Sequence, residues 1–263
     1  MIRVIVCVKQ VIDPEAPVSL FQVDTENNRI IQPKGTPPVL NPFDENALEA
    51  ALKIKDAQDT MITVLSLGRN LARPVLKKSL AAGADELILL EDETFEDLDS
   101  YSAAHVLAHA IKKIGQYDLI LCGREAADTD AGLVGSGIAE ILGIPSITLA
   151  GKIEVNDWKI KVDRVMADGY EVIEAPMPAL ITVSNEIGEL RYPVLKDIMA
   201  VQKKEVTVWK AHELQVTAGG QKRANLYRLF QPVSEGECEI IEAESSEEAA
   251  VNLAQRLREF KII

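Results

Sequence analysis

Four short runs constrain this chain most: IRVIVCV (2–8), ITVLSL (62–67), ELILL (86–90) and DLILC (118–122). Each is continuously apolar and rich in β-branched or leucine side chains, the texture of a strand covered on both faces. Between them stand segments of helical period: NPFDENALEAALKIKD (41–56), ARPVLKKSLAAG (72–83) and SYSAAHVLAHAIKKIG (100–115). Strand and helix alternating over short connections predict an α/β fold, an open, mostly parallel, doubly wound, Rossmann-like sheet. Gly83 and Gly115 close two of the helices just before the next strand.

From residue 151 the texture changes. Alternating segments with turn signals at Asn156-Asp157 and Asp168-Gly169 predict an antiparallel extension, and ALITVS (179–184) returns as a buried strand. RYPVLKDIMAVQKKEV (191–206) reads as a short helical piece whose Tyr192, Leu195, Ile198 and Met199 are too many for one buried face. Residues 1–206 are thus expected to form the α/β domain and 207–263 a C-terminal arm. That arm contains Ala218-Gly219-Gly220-Gln221 and ends in a helix opened by Ser245 or Ser246 with Glu247 and Glu248. It either folds back on its own domain or docks on a partner.

The functional classes narrow by charge and by missing motifs. A net charge of −13 opposes any surface that tracks a polyanion, so neither nucleic acid nor an anionic membrane is an expected partner. No apolar run approaches the roughly 20 residues of a membrane span and no signal-peptide pattern leads the chain, so a cytoplasmic location is expected. Three scattered cysteines predict no disulfide framework, and the pair His105/His109 lacks the glutamate and third ligand of a zinc site. No GxGxxG follows the first strand, and no GxxxxGK[ST] or GxSxG occurs; no catalytic residue is assigned.

Ligands of open α/β sheets sit beyond the carboxyl ends of the strands. One such end runs into CGREAADTDAGLVG (122–135), with a helix expected over Gly132–Gly143, whose N-terminal amides around Asp130 to Val134 would hold a phosphate. The acids Glu125, Asp128 and Asp130 in that stretch can cap the helix, and Asp128 or Asp130 can alternatively accept from a ribose or tune an adenine edge. Asn41 is the expected N-cap of the first helix, with Pro42 at its first position and Asp44 and Glu45 in its first turn. Whether Asn41 and Asp44 also meet a ligand is left open by capping alone.

Together, VKQVIDPE (8–15), LNPFDENALEAALKIK (40–55), LAAGADELILL (80–90), CGREAADTDAGLVG, DGYE (168–171) and RYPVLKDIM (191–199), in that order, resemble the β subunit of electron transfer flavoproteins. The resemblance covers about residues 1–205 and, more loosely, the terminal helix. It implies an electron-carrier component, not an independent enzyme, in a heterodimer with an α subunit that carries FAD. It further implies AMP, or in electron-bifurcating members a second FAD, in this chain's own crevice. Carried over by motif, the cofactor contacts would come from Cys7, Asn41, Pro42, Phe43, Asp44 and Leu67. They would also come from Cys122, Gly123, Arg124, Asp128, Thr129, Asp130, Ala131, Gly132, Leu133, Val134 and Gly135. Leu195, with Tyr192, would anchor partner dehydrogenases through the 191–199 segment, and Glu171 would lie at the interface with the mobile flavin domain. Bifurcating members read DGDTxQVG in the loop. Here Val134-Gly135 agrees with that pattern while Asp130-Ala131 and Leu133 depart from it, so AMP and FAD both stay open. The rival reading is a stand-alone enzyme that binds or cleaves a nucleotide on the same architecture.

Overall fold

The computed structural model describes residues 1–156, 158–216, 222–232 and 238–263. Strand β1 (Ile2–Cys7) is followed by four short strands, β2 (Gln10–Val11), β3 (Gln22–Asp24), β4 (Arg29–Ile31) and β5 (Val39–Leu40), which pair as β2 with β5 and β3 with β4. Then come α1 (Pro42–Ala57), β6 (Thr60–Gly68), α2 (Arg73–Leu76), α3 (Lys78–Ala82), β7 (Glu86–Glu91), α4 (Ser100–Ile114), β8 (Leu119–Gly123) and α5 (Val134–Leu142). The extension is β9 (Ser146–Asn156), β10 (Lys159–Met166) and β11 (Gly169–Pro176), and the chain continues through β12 (Ala179–Val183), α6 (Leu195–Gln202), β13 (Thr207–Trp209) and α7 (Ser246–Glu259).

One nine-stranded sheet runs β11-β10-β9-β12-β8-β1-β6-β7-β13. The seven strands from β9 to β13 in that order are parallel to their neighbours, and β10 and β11 add the antiparallel edge. The alternation inside each strand explains the continuous apolar runs. Val4, Val6, Ile62, Val64, Leu119, Leu121, Ile181 and Val183 pack on one face with α1. Ile5, Cys7, Leu65, Ile88, Ile120, Cys122 and Leu180 pack on the other with α4 and α5. With both faces covered, strand alternation brings no polar side chain out, and period 2 vanishes from the sequence.

The expected open α/β fold is therefore present, with three local differences. The helix read over 72–83 is two short pieces, α2 and α3, separated at Lys77; the Ser79 hydroxyl donates to the Leu76 carbonyl (2.7 Å), a local bond that competes with continuous helix. The helix expected from Gly132 begins at Val134, because Asp130 and Gly132 take left-handed backbone (φ 47° and 60°). Third, the stretch from 207 begins as β13, which pairs with β7 through Thr207↔Ile88, Val208↔Leu89 and Trp209↔Leu90. Three residues are too few for a periodic signal. The turn read at Asn156-Asp157 involves Asp157, and Ala218 to Gln221 also lie outside the described residues.

Beyond β13 the chain turns over the carboxyl-end rim. Asp99 caps α4 through the Ser102 amide (2.8 Å) and accepts two consecutive amides of the returning segment, Arg223 (2.7 Å) and Ala224 (2.8 Å). Burial opposes its charge, but these bonds prevail and hold its carboxyl well below the usual carboxylate range. Further on, the Leu229 amide donates to Asn28 Oδ1 (2.9 Å). Residues 222–229 thus fold back on their own domain, whereas α7 buries none of its side chains.

Candidate functional site

From β1 the chain passes to β6 and β7 on one side, then crosses to β8 on the other, so sheet order reverses between β1 and β8. That switch point is where a crevice opens in folds of this class. Its floor is the register pair Cys7↔Cys122 at the two carboxyl ends. Both thiols are buried, and contact with Cys7, together with burial, pushes the Cys122 thiol well above its usual range.

The N-terminus of α1 closes one wall. Asn41 occupies the cap position, with its carbonyl accepting the Asp44 (2.9 Å) and Glu45 (3.0 Å) amides, yet its side chain caps nothing. Fully buried, it reaches across the crevice: Nδ2 donates to the Glu125 carbonyl (2.8 Å) and Oδ1 accepts the Ala127 amide (3.0 Å). Asn41 therefore staples the 122–135 loop to α1. Asp44 fastens both strand ends, accepting the Lys9 amide (2.8 Å) on one oxygen and the Gly123 amide (3.0 Å) on the other. Phe43 lies beneath the Arg124 guanidinium, 4.4 Å from the ring centroid.

Burial dominates the titration of Asp44, raising its carboxyl from the ordinary 3.8 to about 7 despite the two amides and Asn41. A value raised in the folded state means that folding favours the protonated acid. That contribution is complete below the ordinary value and is lost as pH rises toward 7. The difference in unfolding free energy between wild type and Asp44→Asn should accordingly shrink from about pH 4 to about pH 7 and stay level above it. Denaturation midpoints across that range check this, and a difference that does not vary with pH would refute it.

The opposite wall is α5. Its first intrahelical bond runs from the Gly137 amide to the Leu133 carbonyl (2.9 Å), so the amides of Val134, Gly135 and Ser136 have no acceptor within the helix. Gly135 packs so closely on β12 that a Cβ there would come within 2.7 Å of Thr182 Cγ2. These amides, which have no hydrogen-bond acceptor among the described residues and are preceded by the small Ala131 and Gly132, fit the phosphate of a nucleotide approached by backbone. Thr129, Asp130, Ala131, Gly132 and Leu133 are exposed on the rim, and Leu67 lies half-buried at the end of β6.

The acids do not cap α5. Leu133 holds its cap position, without a side-chain bond. Glu125 instead accepts from Arg124 Nε (2.9 Å), and Asp128 pairs with Lys9 Nζ at 2.7 Å. Lys9 is not among the site residues that the sequence predicts; its signals there are a cation just past the end of β1 and its place within VKQVIDPE.

Glu171 and the 191–199 segment lie away from this crevice. Glu171 stands on β11 opposite Arg164, which donates to it at 3.4 Å. The 191–199 segment is held at both ends. Arg191 forks onto Glu49 (2.9 Å) and Asp56 (2.7 Å) of α1, and these two acids raise its guanidinium well above the usual range. Lys77 donates to the carbonyls of Gln202 (2.8 Å) and Lys204 (2.7 Å). Between these anchors Tyr192 is 93% and Leu195 72% exposed.

Elsewhere, a concavity of about 290 Å³ opens at the amino-terminal ends of β1, β6 and β7, lined in part by Arg3, Thr63, Glu86 and Gln116, remote from the switch point. Among the described residues no group of His, Cys, Asp and Glu is placed to hold a metal, and no helix is long and apolar enough to cross a membrane.

A family model described as the electron transfer flavoprotein domain matches residues 30–214. The caffeyl-CoA reductase-Etf complex subunit CarD of Acetobacterium woodii is 38% identical over 266 residues, which span 99% of this chain and all of that protein. The electron transfer flavoprotein subunit beta of Thermoanaerobacterium thermosaccharolyticum is also 38% identical, over 99% of this chain and its own full length. The acryloyl-CoA reductase electron transfer subunit gamma of Anaerotignum propionicum is 33% identical, covering 89% of this chain and 90% of its own.

Proposed function

The chain belongs to the electron transfer flavoprotein family, as a β subunit, and from that premise we propose that it is a carrier component paired with an α subunit, holding AMP or a second FAD at its β1/β8 switch point. The observation that supports the crevice reading is the conjunction of unpaired α5 amides with a loop pinned by Asn41. A bound flavin supplies the redox chemistry, and the protein supplies placement and surroundings. In this reading Asn41 and Asp44 hold the walls at a fixed spacing, Gly132 to Gly135 offer amides to the phosphate, and Phe43 with Arg124 forms a flat edge beside it.

Leu195, the first residue of α6, and Tyr192, on the chain leading into it, form the docking point for partner dehydrogenases, since both are large, exposed side chains on a segment anchored at each end and an aromatic anchor is enriched at interface hot spots. Glu171 on β11 faces the mobile flavin domain of the α subunit. The terminal helix α7, with Val251 and Leu253 exposed, docks on the α subunit; residues 1–206 form the nucleotide-binding domain, to which β13 and residues 222–229 also attach, leaving α7 as the part that meets that partner. The complex acts in the cytoplasm.

Denaturing the purified complex and separating the released nucleotides tests the crevice reading. About one FAD and one AMP per heterodimer is the simple-transfer outcome, and two FAD the outcome that permits bifurcation. Release of one FAD and nothing else would leave the switch point without its nucleotide and overturn the reading.

A further inference from the structure

Two cations stand at the mouth of the crevice, and each is already paired with a carboxylate of the 122–135 loop. Arg124 is fixed three ways: its Nε donates to Glu125 (2.9 Å), its amide donates to the Val183 carbonyl (3.0 Å), and its guanidinium covers Phe43. Lys9 is fixed only through its backbone. Its amide donates to Asp44 (2.8 Å) and its carbonyl accepts the Asn41 amide (2.8 Å), so its Cα is set at the end of β1. From there the side chain spans the switch point to Asp128, which is the ammonium's one hydrogen-bond partner among the described residues.

That pair is weakly held. The two side chains are 43% and 29% exposed, and ion pairs of this exposure gain little over their hydrated, separated state. A phosphate monoester offers the same ammonium more charge and three strong acceptor oxygens, and charge-assisted bonds of that kind are the stronger ones. Lysine suits such an exchange because its ammonium is a point charge on a flexible stem, whereas the Arg124 guanidinium is held flat against a ring.

We propose that Lys9 is the cation that binds the nucleotide phosphate at this crevice, and that Asp128 holds its place, releasing the ammonium when the phosphate arrives. The inference rests on the reading that AMP or the adenylate half of FAD binds there. Asp128 keeps Lys9 extended across the crevice, so that the charge stands in position before the ligand enters. The phosphate is then shared between Lys9 and the α5 amides, which explains how a loop with three acids and one arginine serves an anion.

The test uses the nucleotide-depleted complex with its α subunit and two probes, AMP and adenosine. Lys9→Gln should weaken AMP at least about tenfold while leaving adenosine at its wild-type affinity, because only the phosphate meets the ammonium. Asp128→Asn should leave the ratio of AMP to adenosine affinity within a fewfold of wild type, because it removes the competitor and the placeholder together while the ammonium that meets the phosphate remains. If the crevice takes FAD, AMP and adenosine remain the pair of probes, because the proposal places the adenylate half of FAD in the same position. A pair that merely braces the loop predicts that both variants weaken AMP and adenosine alike, and that result overturns the proposal. So does wild-type AMP affinity in Lys9→Gln, and this outcome leaves the nucleotide reading standing. Failure of wild-type complex to bind any of these probes removes the nucleotide reading and this proposal together.

Discussion

Gly123→Ala is expected to lower the stability of the complex by about 3 kcal/mol or more and to strip the crevice of its nucleotide. The added Cβ would lie 2.5 Å from Asp44 Oδ1, 2.6 Å from the Phe43 carbonyl carbon and 2.8 Å from the Asp44 amide nitrogen. Two of those atoms are backbone, and their positions are set by the bonds of Asn41 and Asp44 to Lys9. No rotamer change relieves the contact. Either α1 moves off the end of β8, breaking the Gly123 to Asp44 bond inside the core, or β8 bends away from β1. In both cases the walls of the crevice part. A denaturation midpoint equal to wild type, with nucleotide content intact, would sink this account.

Leu195→Ala is expected to slow electron exchange with a partner dehydrogenase by about 30-fold or more, the scale of an interface hot spot. The expectation is sharp because the segment around α6 is held independently of Leu195. Arg191 ties one end to Glu49 and Asp56, and Lys77 ties the other to Gln202 and Lys204. Truncating an exposed side chain between two anchors leaves loop, crevice and fold as they were. Nucleotide content and denaturation midpoint should therefore match wild type while the exchange rate falls. An unchanged rate with the same dehydrogenase would show that docking lies elsewhere.

The parts of the molecule that sequence revealed are those that local patterns encode. Continuous apolar runs mark β1, β6, β7 and β8 because both of their faces are covered, and Gly83 and Gly115 end helices where left-handed backbone is needed. Asn41 shows where such reading stops. Its place before Pro42 marks a cap, but its side chain bonds to residues 84 and 86 positions away, a choice that only the tertiary fold makes. Asp128 was ambiguous for the same reason: its partner, Lys9, stands just past the end of β1, 119 positions away. Likewise Glu49 looks like one more charge on α1, although it is the buried half of the pair with Arg191.

The placement of β12 has a consequence during synthesis. β8 lies between β1 and β12, so until residue 183 has left the ribosome one edge of that central strand has no permanent neighbour. A nascent chain ending near residue 145 already holds β1, β6, β7, β8 and α5, yet Gly135 still lacks Thr182, against which α5 seats. Pairings across such separations form late, and an unpaired strand edge invites mispairing in the interval. Arrest near residue 145 would leave four of the sheet's nine strands, with a binding wall that has nothing to lean on and a β8 edge open to mispairing.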